Sequence, residues 1–297
     1  MNRRFAIPTV LVALLRCGPA PALPAAPQGP PSAVKSEPRQ TNPPTTRPDV
    51  PSPAPLPGGT DALLDRLERS AESLRDFSAR IVYRKWDALT MRWEIRSGEV
   101  LYQVDPVSGS KRFAVLFDTL IVGNRKEDRL KHYVFDGRWL VEIDHAHKQF
   151  IKRQVVAPGR MFDPLKLGQG PLPLPIGQPK REVLARFEVE LAEVPAEGLL
   201  SRLTDVDGLR LVPKPGTREA EDFLSVLIFY DRTTLLPVGI DALGSVLLDD
   251  DDPQSRARTV VLLSGVKRNA GVDEEKLDIL EPDPAQWRID VRPWRER

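Results

Sequence analysis

The side chains best suited to acid–base or metal chemistry are two closely spaced histidines and the aspartate before them. His145 and His147 are separated by one residue and directly follow Asp144. Three such residues do not complete a closed metal site, and no further ligand or supporting partner is evident nearby. The surrounding pattern places them in a turn between two strands. We therefore interpret them as solvated turn residues.

Other candidates for chemistry are equally weak. His132 alternates with apolar neighbours and is interpreted as a sheet residue. Asp249–Asp252 has neither the central glycine nor the distal glutamate of a calcium loop, so it is predicted to be a solvated turn. No serine nucleophile elbow, Walker loop or dinucleotide fingerprint occurs. We expect no catalytic residue, no metal and no cofactor. A hydrolase that uses carboxylates or the His145/His147 pair is the disfavoured alternative.

The N-terminus has the three parts of a secretory signal peptide. Arg3 and Arg4 precede an apolar run, Phe5–Leu15, and small residues follow at possible cleavage points after Ala22 and Ala26. The apolar run is much shorter than the about 20 residues that span a bilayer. We predict a signal peptide at residues 1–26 and a soluble protein of the periplasm or another extracytoplasmic compartment.

The single cysteine, Cys17, lies where a bacterial lipoprotein carries its lipid. Arg16 precedes it, although a lipobox requires a small neutral residue there. Ordinary cleavage is therefore favoured over lipid anchoring, and it would leave a mature chain without thiol or disulfide chemistry. Which of the two occurs decides between a freely diffusing protein and an anchored one.

Residues 27–59 are rich in proline and poor in large apolar side chains, which predicts a disordered linker. The rest of the chain, residues 60–297, is predicted to form one domain. The whole sequence has 43 basic and 42 acidic residues and a net charge of +1, so no nucleic-acid partner is expected.

The domain is predicted to begin with an amphipathic helix capped by Thr60, followed by β-rich sequence. Asp136-Gly137 predicts a two-residue type I′ hairpin. Later in the chain, Pro158–Pro179 is an apolar Pro/Gly-rich insertion, expected to cover or present an apolar surface, and Gln178–Phe187 is a predicted helix. The predicted strands are Phe77–Trp86, Met91–Val104, Arg112–Val122, Leu130–Asp136, Trp139–Asp144, Gln149–Val156, Leu209–Pro213, Phe223–Asp231, Pro237–Leu243, Thr259–Val266 and Trp287–Val291.

Several short stretches between about residue 63 and residue 291 occur in an informative order. They are Leu74–Ala79, Val134–Asp144, Leu209–Lys214, Tyr230–Pro237, Val266–Asn269 and Leu277–Ile279. In these stretches the chain resembles the LolA/LolB-like family of outer-membrane lipoprotein carriers. The resemblance implies an α+β fold, mostly antiparallel, in which an incomplete, half-open β-barrel is covered by helices.

The resemblance further implies a carrier or chaperone that binds lipid or lipoprotein acyl chains in an apolar concave face, without enzymatic activity. An envelope protein would act as donor or receptor, and the protein itself would be a monomer. The predicted lipid-binding residues are Leu63, Leu67, Leu74, Trp86, Trp93, Phe117, Tyr133, Phe135 and Trp139. The alternative is that these residues form only the core of a β protein.

One departure from the family concerns its lid. The family's early strand ends in an Arg-Pro pair whose arginine latches the lid, whereas Asp105-Pro106 stands at the equivalent point here. A different cargo is therefore possible within the same fold. The alternative function is an interaction module that senses envelope lipid or stress without transporting anything.

Overall fold

The computed structural model describes residues 59–157, 176–247, 249, 252 and 255–294. The predicted signal peptide, Cys17 and nearly all of the linker lie outside these residues, as do most of Pro158–Pro179 and part of Asp249–Asp252. Within the described ranges, no helix has the length and apolar character needed to cross a membrane.

In the part of the chain that the structure describes, twelve strands form one sheet. They are β1 (Asp76–Asp87), β2 (Arg92–Val104), β3 (Lys111–Val122), β4 (Arg125–Phe135), β5 (Trp139–Asp144), β6 (Gln149–Gln154), β7 (Phe187–Ala192), β8 (Val206–Pro213), β9 (Phe223–Asp231), β10 (Pro237–Leu247), β11 (Arg256–Arg268) and β12 (Arg288–Arg292). Three helices, α1 (Gly59–Glu72), α2 (Lys180–Arg186) and α3 (Arg218–Asp222), and a 3₁₀ turn (Glu274–Leu277) complete the described elements.

The strand order is β12-β6-β5-β4-β3-β2-β1-β11-β10-β9-β8-β7, which joins two antiparallel meanders side by side. Strands β1–β6 run outward from the centre, and β7–β11 run back from the opposite edge until β11 pairs with β1. Among the described strands, only β12 is parallel to its neighbour, β6. Because β7 and β12 lie at opposite ends, the sheet that the described residues form is not closed. The predicted α+β class with a mostly antiparallel, half-open barrel is confirmed.

The tail after β11 explains the one parallel pair. It crosses the sheet, and Leu277 of the 3₁₀ turn is fully buried against Leu101, Ala114 and Val134. The chain then reaches the far edge, where β12 runs alongside β6. A connection over the face of a sheet is what a parallel pair requires, since a tight turn can join only antiparallel strands.

Two sequence predictions need correction. The Asp136-Gly137 hairpin is a two-residue turn, but its central residues are Gly137 and Arg138, closed by a hydrogen bond from Asp136 N to Trp139 O of 3.2 Å. Only Gly137 has a positive φ, of +100°, whereas type I′ requires positive φ at both positions and type II′ only at the first. Strand β7 is absent from the sequence predictions, which extend the preceding helix to Phe187, whereas that helix ends at Arg186.

Candidate functional site

The two faces of the sheet differ in what covers them. The face that carries Phe77, Tyr83 and Phe117 is called the inner face. These residues belong to a buried cluster that also includes Leu63 and Leu64 of α1, so the helix packs on this side of the sheet. The outer face carries two smaller clusters, one around Leu277 and one around Phe229 and Val260. Side chains alternate between the faces along each strand, so the pairing register assigns every residue to one of them.

A row of aromatic residues crosses the inner face on four adjacent strands. Phe77, Tyr102, Phe113 and Phe135 are successive cross-strand partners on β1, β2, β3 and β4. The ring centroids of Phe77 and Tyr102 lie 5.5 Å apart, and those of Phe113 and Phe135 lie 5.6 Å apart. These are favourable separations for offset-stacked rings, so the row is a continuous apolar strip across the strands.

A second aromatic group lies farther along the same strands. Tyr83 and Phe117 approach to 5.9 Å between centroids, and Phe117 meets Tyr133 edge-on at 6.4 Å. Strands β1 and β3 are two strand spacings apart, about 9.6 Å, so the Tyr83 and Phe117 rings lean toward each other above β2. Gly98 is the β2 residue that pairs with Phe117 and leaves this space open.

The structure places six of the nine predicted lipid-binding residues on the inner face. Leu63, Leu74, Phe117, Tyr133 and Phe135 are buried in the main cluster, and Leu67 packs against it. The positions of Leu63 and Leu67 follow from helical spacing in α1, and those of Phe117, Tyr133 and Phe135 follow from alternation in β3 and β4; Leu74 lies between α1 and β1.

The three predicted tryptophans lie on the outer face. Trp86 and Trp93 are cross-strand partners with centroids 5.4 Å apart, and the Arg84 guanidinium lies 4.5 Å from the Trp93 ring centre. Trp139 alternates with the inner-facing Leu140, and its ring is 5.3 Å from Lys152 Nζ. The prediction that all nine residues share one surface is therefore wrong for the tryptophans, because strand alternation turns them outward.

Charged side chains occupy the inner face beyond the aromatic groups. Lys85, Glu94 and Arg96 lie there on β1 and β2, and the Arg96 Nε donates to Glu94 Oε1 at 2.6 Å. The sequence analysis did not single out these three residues. The signal that could have found them is alternation: Arg96 lies an even number of residues from the apolar Val100 and Tyr102.

A second charged group lies on β4 and β5. Lys131 Nζ is 2.9 Å from Glu142 Oε1 and 3.9 Å from Asp144 Oδ2, and its side chain is 5% exposed. Burial opposes ionisation of Asp144, but hydrogen bonds from His147 and the charge of Lys131 outweigh it, so the Asp144 pKa lies below its usual value. This group is therefore a set of ion pairs.

The histidines do not assemble a metal site. His132 and His145 have ring centroids 4.8 Å apart, and the His145 ring meets Trp287 edge-on at 5.4 Å. His147 lies in the turn, where its Nδ1 is 3.1 Å from Asp144 Oδ2. Among the described residues, no group of three or more His, Cys, Asp or Glu side chains is arranged to hold a metal ion. Burial, and then the neighbouring His145, lower the pKa of His132 to about 4.

Polar contacts hold α1 against the sheet. Asp207 on β8 is buried and accepts from Arg66 of α1 at 3.4 Å and from Arg232 at 2.7 Å. Arg268 of β11 donates to Ser70, which lies one turn farther along the helix than Arg66. Asp105, in contrast, caps its own turn by accepting from the Val107 and Ser108 backbone amides. The helix is thus tethered by residues other than the Arg-Pro pair of the family that the sequence resembles.

A shallow recess lies beside this tether. The recess opens to solvent, and its walls include Leu67, Ala71, Ile176 and Tyr230. The space that it encloses is about 10 Å³, which is about the room that one water molecule needs. The recess is therefore too small for a lipid tail, which leaves the inner face as the candidate site.

Comparison with known proteins gives a loose structural likeness. No protein-family model matches the chain, and no curated protein matches it. A chain from the MucA/MucB complex of Pseudomonas aeruginosa aligns with 73% of this chain at 15% identity and a TM-score of 0.40. The match covers 60% of that chain, less than two thirds of its length.

Two further matches cover nearly the whole of the other protein. An uncharacterized conserved protein from Thermus thermophilus aligns over 98% of its length and 78% of this chain, with 11% identity and a TM-score of 0.41. A LolA superfamily protein from Nitrosomonas europaea aligns over 98% of its length and 74% of this chain, with 11% identity and a TM-score of 0.31. At these identities and TM-scores the matches carry no argument about family or function.

Proposed function

We propose that the protein is a carrier that binds the acyl chain of a lipid or lipoprotein on the inner face of its half-open sheet. The observation that carries this proposal is the continuous aromatic strip of Phe77, Tyr102, Phe113 and Phe135, next to the Tyr83–Phe117–Tyr133 group. Each methylene removed from water contributes about 0.8 kcal/mol, so such a surface needs no covalent chemistry to hold a chain.

The predicted export signal supports action in the periplasm or a comparable compartment, where exposed acyl chains need cover. We propose that one domain, residues 60–297, carries the binding face and that it works as a monomer. The proposed contact residues are Leu63, Leu67, Leu74, Phe117, Tyr133 and Phe135. Trp86, Trp93 and Trp139 are not included, because they lie on the other side of the sheet.

The outward position of the tryptophans provides a direct test. A Phe117→Trp variant adds one indole to the inner face, and a fatty acid brominated along its chain quenches indoles that it contacts. We expect strong quenching of the added fluorescence and little quenching of the wild-type signal. A Lys152→Trp variant, on the outer face beside Trp139, is the matched control. Equal quenching of both variants, or none, would contradict inner-face binding.

One observation favours the second candidate, an interaction module that recognises a protein. Strand β7 pairs only with β8 among the described strands and stands at the end of the sheet. An edge strand offers backbone donors and acceptors to an incoming peptide. A β7 variant with Val189→Pro should lose protein capture but retain acyl binding if this candidate applies. Loss of neither property would exclude recognition through this edge.

A further inference from the structure

Arg96 has an unused hydrogen-bond donor in a buried position. The residue is 9% exposed and lies on the inner face between its cross-strand partners Tyr83 and Leu120. Its Nε donates to Glu94, but its Nη1 is buried and has no hydrogen-bond partner. A buried donor on a charged group is costly when unpaired, and such groups normally have a partner. The vacant donor therefore points to a ligand that accepts there.

The chemistry of the donor indicates the sign of that ligand. The Nη1 atom belongs to a guanidinium, which keeps its positive charge in proteins. A guanidinium is well suited to carboxylate or phosphate oxygens. The ligand group at Nη1 is therefore expected to be an anion.

The surroundings of Arg96 indicate what the anion is attached to. Tyr83, its partner on β1, is the first ring of the Tyr83–Phe117–Tyr133 group. Successive inner-face pairs on β1 and β2 change from Phe77/Tyr102 and Ala79/Val100 to Tyr83/Arg96 and Lys85/Glu94. The face is thus apolar at one end and charged at the other, and Arg96 stands at the boundary.

We propose that the inner face binds a lipid with an anionic headgroup, the headgroup oxygens accepting from Arg96 Nη1 and the chain lying along the aromatic groups. This inference rests on the proposed function, which requires acyl binding but not any particular headgroup. It adds a substrate class and a specificity-determining residue.

The test compares headgroups on one chain length. A neutral fluorescent acyl probe is bound to the full chain and displaced by four competitors below their micelle concentrations: dodecanoate, dodecyl phosphate, dodecanol and dodecyltrimethylammonium. Sodium acetate and inorganic phosphate serve as anions without a tail. We expect the two anionic amphiphiles to bind at least about tenfold more tightly than dodecanol. The ammonium compound should bind more weakly than dodecanol, and the tail-free anions should not displace the probe.

Three variants locate the effect. Arg96→Gln should abolish the preference for anionic amphiphiles while dodecanol affinity changes less than about threefold, and Arg96→Lys should retain part of the preference. The double variant Glu94→Gln/Arg96→Gln removes both partners of the ion pair, which guards against misfolding caused by an isolated Glu94. Arg84→Gln is the control, because Arg84 lies on the adjacent strand but on the outer face, beside Trp93.

The outcomes separate the two proposals. Equal binding of dodecanoate and dodecanol, or an unchanged preference in Arg96→Gln, would overturn the headgroup site and leave acyl binding intact. Displacement by acetate or phosphate at the same concentrations as dodecanoate would overturn the lipid as the source of the anion. Failure of every amphiphile to displace the probe, in a protein shown to be folded, would count against the proposed function itself.

Discussion

The half-buried ring of His132 makes an acid-sensitive contribution to stability. Its pKa is lowered from 6.5 to about 4 by burial and by His145, while Asp118 opposes this shift. Between pH 6.5 and about pH 4 the folded protein therefore binds fewer protons than the unfolded chain. The contribution of His132 to the free energy of unfolding is fully present above pH 6.5 and is lost as the pH falls toward 4. Because the ring is partly exposed, we expect a loss of about 1–2 kcal/mol.

Denaturant unfolding at a series of pH values measures this loss. In a plot of unfolding free energy against pH, His132→Gln should reduce the slope between pH 6.5 and about pH 4. His147→Gln, in the solvated turn, should leave that slope unchanged. An equal decline in wild type and His132→Gln would contradict the assignment.

Gly98 is required by the close approach of two strands. A Cβ built there would lie 2.0 Å from the Leu116 carbonyl oxygen and 2.7 Å from Phe117 Cα, both backbone atoms that cannot move aside independently. We expect Gly98→Ala to destabilise the fold by about 1–3 kcal/mol or more. Gly244→Ala is the control in the same sheet, because a Cβ there would lie 3.1 Å from its nearest neighbour, the Ala257 carbonyl oxygen. Thermal unfolding should show a much smaller loss of stability for this variant than for Gly98→Ala.

At the scale of elements, Asp207 links α1 to the sheet. Its side chain is 3% exposed, while its partners Arg66 and Arg232 are each 33% exposed and can regain water. Asp207→Ala should therefore cost about 1–3 kcal/mol, less than for a fully buried pair, and should increase amide exchange in residues 59–72. Glu190→Ala removes the exposed pair with Arg210 and should change stability by less than about 0.5 kcal/mol. Unaltered exchange in α1 would show that apolar packing alone holds it.

The elements show how far the sequence could be interpreted. Strands such as Phe223–Asp231 and Trp139–Asp144 coincide with the structure, because β-branched and aromatic runs bounded by turn residues give a strong local signal. Strand β7 was missed because half its residues are charged or exposed and its role comes only from pairing with β8. The central β1–β11 pair joins strands from opposite ends of the domain sequence, which no local pattern specifies.

The same distinction separates the predicted from the unpredicted part of the site. The inner-face positions of Phe117, Tyr133 and Phe135 follow from alternation once one apolar residue per strand is assigned inward. The tryptophans were placed inward because they are large and apolar, although Trp86 is one residue from the inward-facing Lys85. Local hydrophobicity thus predicted the wrong face for all three tryptophans. Beside Trp93 the inner position is also charged, Glu94, whereas beside Trp139 it is the apolar Leu140. The inner-face position of Arg96 could be recognised only from the pairing register of β1, β2 and β3 together.

At the scale of the whole molecule, we propose that residues 60–297 fold without the preceding segments. Every described contact that builds the main cluster, from Leu63 to Leu263, lies within that range. A chain that begins at Gly59 should therefore unfold within about 2 °C of one that begins at residue 27, since about 1 kcal/mol shifts the midpoint of such a domain by about 2–4 °C. The same shortened chain should gain stability on adding dodecanoate, by about 2.7 kcal/mol at a hundredfold excess over the dissociation constant. A midpoint lowered by more than about 5 °C would show that the linker contributes to the fold. Stabilisation by dodecanoate of the chain that begins at residue 27, but not of the shortened chain, would instead place the binding contribution in the removed residues, against a carrier built from this domain alone.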